Sequence, residues 1–481
     1  MTRIRKLACC LLLGLGLCSP GLAAILHVPL DFGEIQSAMD ASAPGDTVLV
    51  APGTYTGLYT SPDYTLTLAS NYLFSQDSTD INETVLDGEY AGTILDIIVG
   101  EGNWFTLCGF TLQHGQGQDI NSSAYCFRGG ALQINAPSNA EIKDTVFREN
   151  RAPRGGAVLN QGVVCGIAGL AGSLFLRNVA CYSNTTDAPT GGVTGVLFIR
   201  TSASTMVIDK FLYNGGGDSS RSIHVSCSLM DSVYVNDLTL LDCDGNGAGI
   251  GSSIVHESGQ VFTNIRTSAA EGLRGAAFVI QPIHYVVDSS VVVVRNMDYG
   301  DQRLALSSSI RSQSTTLDID GVKIHGFRNI DDAPAVQIRS DVPGSMRNVN
   351  IYNNVAGDSL THVAEPLLWT VNMNLDSVYV HDNRSIVPGD PQVASNGGND
   401  VQGAMVRAEG QNITLSNMRF ENNRVDDLDD YSDHSPSEIS PFQLGARIVG
   451  RCQWNPCCTK HFSGTQPSAQ LCSRSVFGCS H

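Results

Sequence analysis

Residues 346–354, MRNVNIYNN, decide how the rest of the chain is read. Variants of the stretch return along the sequence: DTVFREN closing at Asn150, RNVACYSN at Asn184, DSVYVHDN at Asn383 and SNMRFENN at Asn423. The shared pattern is an anchor residue, alternating apolar positions, and an Asn six places beyond the anchor. Anchors are assigned at Gly109, Asp144, Asn178, Ile208, Asp237, Asn264, Asn296, Gly321, Asn348, Ser377 and Asn417, with steps of 25 to 40 residues. A period of this size marks a solenoid. No single coil can bury its own apolar side. Coils stacked at about 4.8 Å bury one another's.

Alternation then assigns faces. Val322 and Ile324, Val349 and Ile351, Val378 and Val380, Met418 and Phe420 point inward. The outward residues of the same four coils fall in two columns. One holds Lys323, Asn350, Tyr379 and Arg419, the other His325, Tyr352, His381 and Glu421. The repeated Asn is a structural device: it tolerates the left-handed backbone of a tight turn, and its amide can bond to the same amide one coil away. Gly129-Gly130-Ala131 and Gly155-Gly156-Ala157 read as turns, and no GxGxxG followed by a helix supports nucleotide binding.

Composition sets the outer bounds. With 481 residues, 42% hydrophobic and 16% charged, the chain can form a large core. Its 49 glycines suit a fold full of turns. The formal charge is −18, and losing Arg3, Arg5 and Lys6 with residues 1–24 takes it to −21. Nucleic acid is therefore not the expected partner, because phosphate binding needs clustered Lys and Arg. A local basic strip remains compatible with that balance.

Residues 1–24 have a basic front, an apolar run over 7–17 and a small-residue exit, and read as a secretory signal peptide. The run is too short for a membrane anchor, and no later segment is long enough to span. The expectation is an exported protein, extracellular or cell-surface associated.

Residues 31–57, DFGEIQSAMDASAPGDTVLVAPGTYTG, follow. Ile35, Ala38 and Met39 share a helical face, Pro44-Gly45 ends the helix, and 47–50 forms a first β-branched strand. A short helix there plugs the open apolar end of a solenoid. This unit is similar to the opening of secreted right-handed parallel β-helix proteins, the pectin-lyase-like superfamily, and the resemblance extends by pattern over residues 30–423. It implies an all-β, right-handed parallel β-helix solenoid with an N-terminal capping helix. On function it implies only a choice, since adhesins, lyases and esterases share the architecture. The domain reading is signal 1–24, cap and first strand 25–57, β-helix 58–423, acidic linker 424–444 and an irregular Cys-rich tail 445–481.

Of 14 cysteines, Cys9, Cys10 and Cys18 leave with the signal, so an odd number remains and at least one is unpaired or paired between chains. Cys181 sits at an inward position as a small apolar residue. The tail carries Cys452, Cys457, Cys458, Cys472 and Cys479, in a spacing that matches no zinc site.

Three constellations are candidates for chemistry. Asp242, Asp244 and Asn246, alternating oxygen side chains around a Gly turn, suit calcium, the one cofactor the sequence invites; none is required. An Asx-rich turn explains the same residues. Asp331-Asp332 with Arg339 resembles the paired acids of polygalacturonases. No GHG or NTD-like segment accompanies them, and GTYTG at 53–57 lacks the closing Glu of pectin methylesterases, so no catalytic residue is carried over. The third is the outward strip: Lys323, His325, Tyr352, Tyr379, His381 and Arg419 as a surface for sugar rings, against the alternative of an ordinary exposed sheet face. The sequence thus supports a non-enzymatic adhesion, glycan-binding or structural protein whose partner is a polysaccharide or cell-surface glycan. The alternative is a polysaccharide lyase or glycoside hydrolase.

Overall fold

The computed structural model describes residues 23–117 without a break. From 129 to 454 it describes the strands of each coil, the longest stretches being 137–152, 172–186, 336–356, 367–387 and 413–427. The signal stretch 1–22, the loop holding Asp242, Asp244 and Asn246, the Asp331-Asp332 pair, the Gly155-Gly156 turn, residues 428–445 of the linker and 455–481 of the tail lie outside the described residues.

The chain is a right-handed parallel β-helix. Three parallel sheets run the length of the solenoid, one strand per sheet in each coil. The first sheet begins with Ile25–Val28, Thr47–Val50 and Leu66–Ser70. The second begins with Gly53–Thr56 and Thr84–Asp87, and the third with Tyr59–Thr60 and Leu95–Ile97. Thr47–Val50 is therefore the second strand; Ile25–Val28 precedes it in parallel register.

A corner with a left-handed backbone joins the first sheet to the second. Asp144, Asn178, Asp237, Asn296, Gly321, Asn348, Ser377 and Asn417 occupy it, all with positive φ. These are the assigned anchors. One assignment shifts: the corner belongs to Lys210 (φ 58), not Ile208, which is fully buried. Leu176 pairs with Ile208 and Val179 with Phe211, so Asn178 falls opposite Lys210. Around the corner the inward phase slips by one residue. Leu317 and Ile319 are followed by Val322 and Ile324, and Met206 and Ile208 by Phe211 and Tyr213, all buried. Met418 and Phe420, in the last such coil, are only partly buried against the core.

A second left-handed corner closes the second sheet at His114, Glu149, Ser183, Asn353, Asp382 and Asn422. The residue after it is the repeated Asn at every one of these corners except the first, where Gly115 follows His114. The two roles expected of one residue are thus split: the preceding residue takes the strained backbone, and the Asn makes the ladder. Asn354 Nδ2 donates to Asn383 Oδ1 (2.8 Å), and Asn383 Nδ2 to Asn423 Oδ1 (2.8 Å). Asn150 Nδ2 donates likewise to Asn184 Oδ1 (2.9 Å). Each amide also donates to a backbone carbonyl of the preceding coil, as Asn383 does to Ile351 O (2.9 Å). The four residues Asn150, Asn184, Asn354 and Asn383 are at most 1% exposed, so these bonds satisfy groups that water does not reach.

The helix Ile35–Ala41 buries Ile35, Ala38 and Met39 on the strands Ile25–Val28, Thr47–Val50 and Tyr59–Thr60 and covers the N-terminal end. A second cover lies outside the first sheet. Leu49, Ala69 and Cys108 form an outward apolar column, and Tyr72 and Leu73 pack over it. Cys108 and Cys181 are free and buried. Burial pushes the Cys108 thiol up to about 11 and the Cys181 thiol higher still.

At the C-terminal end the solenoid runs past Asn423. Arg424–Asp427, the start of the stretch expected as a linker, pairs in register with Arg384–Val387. Within the stretch expected to be irregular, Ala446–Val449 pairs with Val406–Glu409 and Cys452–Trp454 with Ile413–Glu421. Among the described residues, no helix is long and apolar enough to cross a membrane.

Candidate functional site

The second sheet brings together all six residues of the expected strip. Lys323 pairs with Asn350, Asn350 with Tyr379, and Tyr379 with Arg419. His325 pairs with Tyr352, Tyr352 with His381, and His381 with Glu421. The rings stack along the solenoid axis. His325 and Tyr352 lie 5.0 Å apart at 15°, Tyr352 and His381 5.4 Å apart at 6°. Tyr379 stacks beside them on His381 at 4.1 Å, and the Arg419 guanidinium sits 4.8 Å from the Tyr379 centroid.

This geometry corrects one expectation. A surface for sugar rings implies exposed ring faces, but the faces of Tyr352 are turned to His325 and His381, and His381 also stacks on Tyr379. What the strip offers a ligand is ring edges, together with the carboxylate, amide and guanidinium groups that bond to or stack on them.

Hydrogen bonds fix the rings of His325, His381 and Tyr379. His325 Nε2 donates to Asp298 Oδ1 (2.8 Å). His381 Nδ1 lies 2.7 Å from Asp382 Oδ2, and its Nε2 3.1 Å from Asn350 Oδ1. The Tyr379 hydroxyl donates to Glu421 Oε2, and Arg419 Nη2 to Glu421 Oε1 (2.6 Å). The Tyr379 and Arg419 hydrogen bonds hold the Glu421 carboxyl below the usual carboxylate range, and the Glu421 bond raises the Tyr379 phenol. The His381 hydrogen bond likewise lowers Asp382. The backbone admits His325 because residue 300 is glycine. A Cβ there would lie 2.3 Å from its Cε1 and 2.5 Å from its Nε2.

Beside the strip, across the corner to the first sheet, lies a groove of about 360 Å³. Asp237, Asn296, Asp298, Lys323, Asn348 and Asn350 supply its polar lining, and Gly321 opens the corner where neighbouring coils carry a side chain. Lys323 is exposed and makes no hydrogen bond or ion pair among the described residues. Groove and strip meet at Lys323 and Asn350 and form one track.

The first sheet flanks the groove with a charge ladder. Arg347 bonds Asp320 (2.9 Å) and Asp318 (3.0 Å), and Arg295 bonds Asp318. Burial alone would raise the Asp318 carboxyl. Hydrogen bonds from Arg295 and Ser345, with the charges of Arg295 and Arg347, outweigh it and hold the group below its ordinary value. This ladder is closed on itself and braces the groove wall.

A cluster the sequence did not reveal lies in the N-terminal coils. His114 Nδ1 is 3.1 Å from both Asp87 oxygens, and its Nε2 is 3.3 Å from Glu149 Oε2. Asp87 also accepts from Gln113 Nε2 (2.6 Å) and from the Glu89 N–H (2.9 Å). Both Asp87 oxygens are thus fully engaged, and the cluster is a clasp between coils rather than a reaction centre. Asp87 pairs with Gln113 and Gln113 with Arg148 in one column, and steps of 26 and 35 residues conceal that column in the sequence.

Among the described residues, no group of three or more His, Cys, Asp or Glu side chains is arranged to hold a metal ion. Arg339, expected beside Asp331-Asp332, lies on the outer face of the third sheet.

No family model matches the chain, and no curated protein does. Among solved structures, the A-module of the mannuronan C-5 epimerase AlgE6 of Azotobacter vinelandii is similar to it. The match covers 88% of this chain and 94% of that one, at 12% sequence identity and a TM-score of 0.32, and no residue role is carried across from it.

Proposed function

We propose that the protein is an exported, non-enzymatic β-helix that holds a polysaccharide along the track formed by the groove and the ring strip. The observation that supports this is the unbroken file His325, Tyr352, His381, with Tyr379 beside it and, at its foot, Lys323, which makes no ion pair among the described residues. Polar edges recur once per coil, at about 4.8 Å. That is close to the length of one sugar residue in an extended chain. A hydroxyl-rich chain lying along the axis meets a donor or acceptor at each step without bending. Because the ring faces are covered, the contacts are hydrogen bonds at ring edges, and neutral glycans suffice as ligands. Among the described residues, the Asp298, Arg419 and Glu421 charges nearest the strip are engaged with its rings or with one another.

The test is affinity electrophoresis of the purified protein through gels containing neutral polysaccharides, together with assays for reducing ends and unsaturated products. Retardation by a neutral glycan, lost in Tyr352→Ala/His381→Ala and without product formation, is the expected result. Release of products, or retardation unchanged in the double variant, would overturn the reading.

A further inference from the structure

A different face of the solenoid carries an arrangement that the ring strip does not use. On the outer surface of the third sheet, Trp369 lies between two arginines. The Arg407 guanidinium carbon is 4.8 Å from the indole centroid and that of Arg339 is 5.9 Å from it. Backbone register extends the band along the axis. Arg311 pairs with Arg339, Trp369 with Arg407, and Arg407 with Arg447. In backbone register, arginine positions thus fall on four of five successive coils and in two adjacent columns, on a chain of formal charge −18. Glu409 is the one acid in these columns, and it bonds the Arg407 Nε at 2.5 Å. Arg339 is exposed and makes no ion pair or hydrogen bond among the described residues. It is held only by the indole face.

Such a guanidinium is orientated but chemically unspent. Stacking fixes its plane and leaves its N–H edge free for a two-pronged bond to an oxoanion. The Trp369 ring is only partly exposed, so the indole acts as the platform that holds the two guanidinium groups. The band is long and narrow, so it fits a linear ligand better than a membrane plane. Both indole faces meet guanidinium, so no base can stack there, and this disfavours single-stranded nucleic acid. A negative chain is attracted locally, because the acidic remainder of the protein is screened beyond about 10 Å at 0.1 M salt.

We infer that this band is a second binding site, separate from the ring strip, for a linear polysaccharide carrying an anionic group on successive sugars, with Arg339 and Arg407 as its anion-binding pair.

The test uses the full-length protein in affinity gels containing dextran sulfate, polygalacturonate or unsubstituted dextran. Retardation by dextran sulfate, polygalacturonate or both is expected, weakening as salt rises and absent with dextran. Arg339→Gln/Arg407→Gln should bind at least about tenfold more weakly. Arg339→Gln alone, at an exposed side chain with no ion pair, keeps the fold and should still weaken binding. The ring-strip variant Tyr352→Ala/His381→Ala should bind these anionic chains normally, which separates failure of this site from failure of the neutral-glycan site. Absence of retardation by both anionic polymers would overturn the inference, as would equal binding by the single and double Arg variants. Tighter, Arg-dependent binding to single-stranded RNA or to anionic phospholipid vesicles would overturn the assigned ligand.

Discussion

Replacing Asn383 by alanine tests whether the amide file holds the coils together. Asn383 is 1% exposed and sits in the middle of its ladder. Its Oδ1 accepts from Asn354 N (3.1 Å) and Asn354 Nδ2 (2.8 Å), and its Nδ2 donates to Ile351 O (2.9 Å) and Asn423 Oδ1 (2.8 Å). Alanine removes the partner of the Asn354 N–H, of one of the two Asn354 amide N–H groups and of the side-chain bond to the Ile351 carbonyl, in a space closed to water. At about 1–2 kcal/mol for each of three buried groups, partly relieved by relaxation, the cost is about 3–5 kcal/mol. A solenoid distributes stability by neighbouring coils, so the loss is local and a single melting temperature understates it. Hydrogen exchange reads it directly: protection of the strand amides at 349–351 and 378–380 should fall by roughly 10²- to 10³-fold. Asn423→Ala is the control. Asn423 accepts from Asn383 N and Nδ2 and donates to Val380 O in the same way, but it is only half-buried, so water replaces it and the cost should be about 1 kcal/mol. If Asn383→Ala leaves protection unchanged, or if the two variants cost the same, the amide file is ornamental and the coils are held by apolar packing alone.

Three further outcomes are expected. Gly300→Ala would place a Cβ 2.3 Å from the His325 ring, so the ring should leave Asp298 and retention on neutral glycan gels should fall while the melting temperature changes little. Gly109 has φ +83, and a Cβ there would lie 2.4 Å from Ser70 Oγ and 2.7 Å from Tyr72 Cβ. Gly109→Ala should therefore lift the Tyr72–Ser75 helix, cost about 1–3 kcal/mol and make Cys108 reactive to a thiol label; an unreactive Cys108 would count against that account. The carboxyls of Asp318 and Asp320 are depressed in the folded state, so their contribution is present above the ordinary carboxylate pKa and is lost as pH falls through the lowered value. Melting curves below about pH 4 should thus show a steep acid limb that Asp318→Asn flattens, with little change in its position at neutral pH beyond the loss of the pair.

What the sequence discloses follows from which positions carry a constraint. Corner residues must adopt a left-handed backbone, and Asn, Asp and Gly advertise that need, so most anchors are legible. Lys210 meets the same constraint without advertising it, and the apolar alternation Met206, Ile208 then draws the assignment two residues early. Its signal was the phase slip: Ile208 and Phe211 are both inward but three apart. The outward columns follow from the anchors by counting, which is why Tyr352 and His381 land correctly. Ring orientation does not follow, because side-chain rotation is set by the neighbours above and below. The third sheet is harder still. No fixed residue marks its start, and 32 and 38 residues separate Gln337, Trp369 and Arg407, so nothing in the linear order brings Arg339 and Arg407 to one indole.

Among the described residues, the asparagine bonds fall into two files. The first ladder opens where Asn150 Oδ1 takes the Gly115 N–H, and the second where Asn354 Oδ1 takes that of Phe327. Within each file a coil cannot leave its neighbour without breaking a buried amide bond. Under tension between its ends, the coils tied from Asn150 to Asn184 and from Asn354 to Asn423 should be among the last to unwind, and each keeps its own clasp or track while it stays wound.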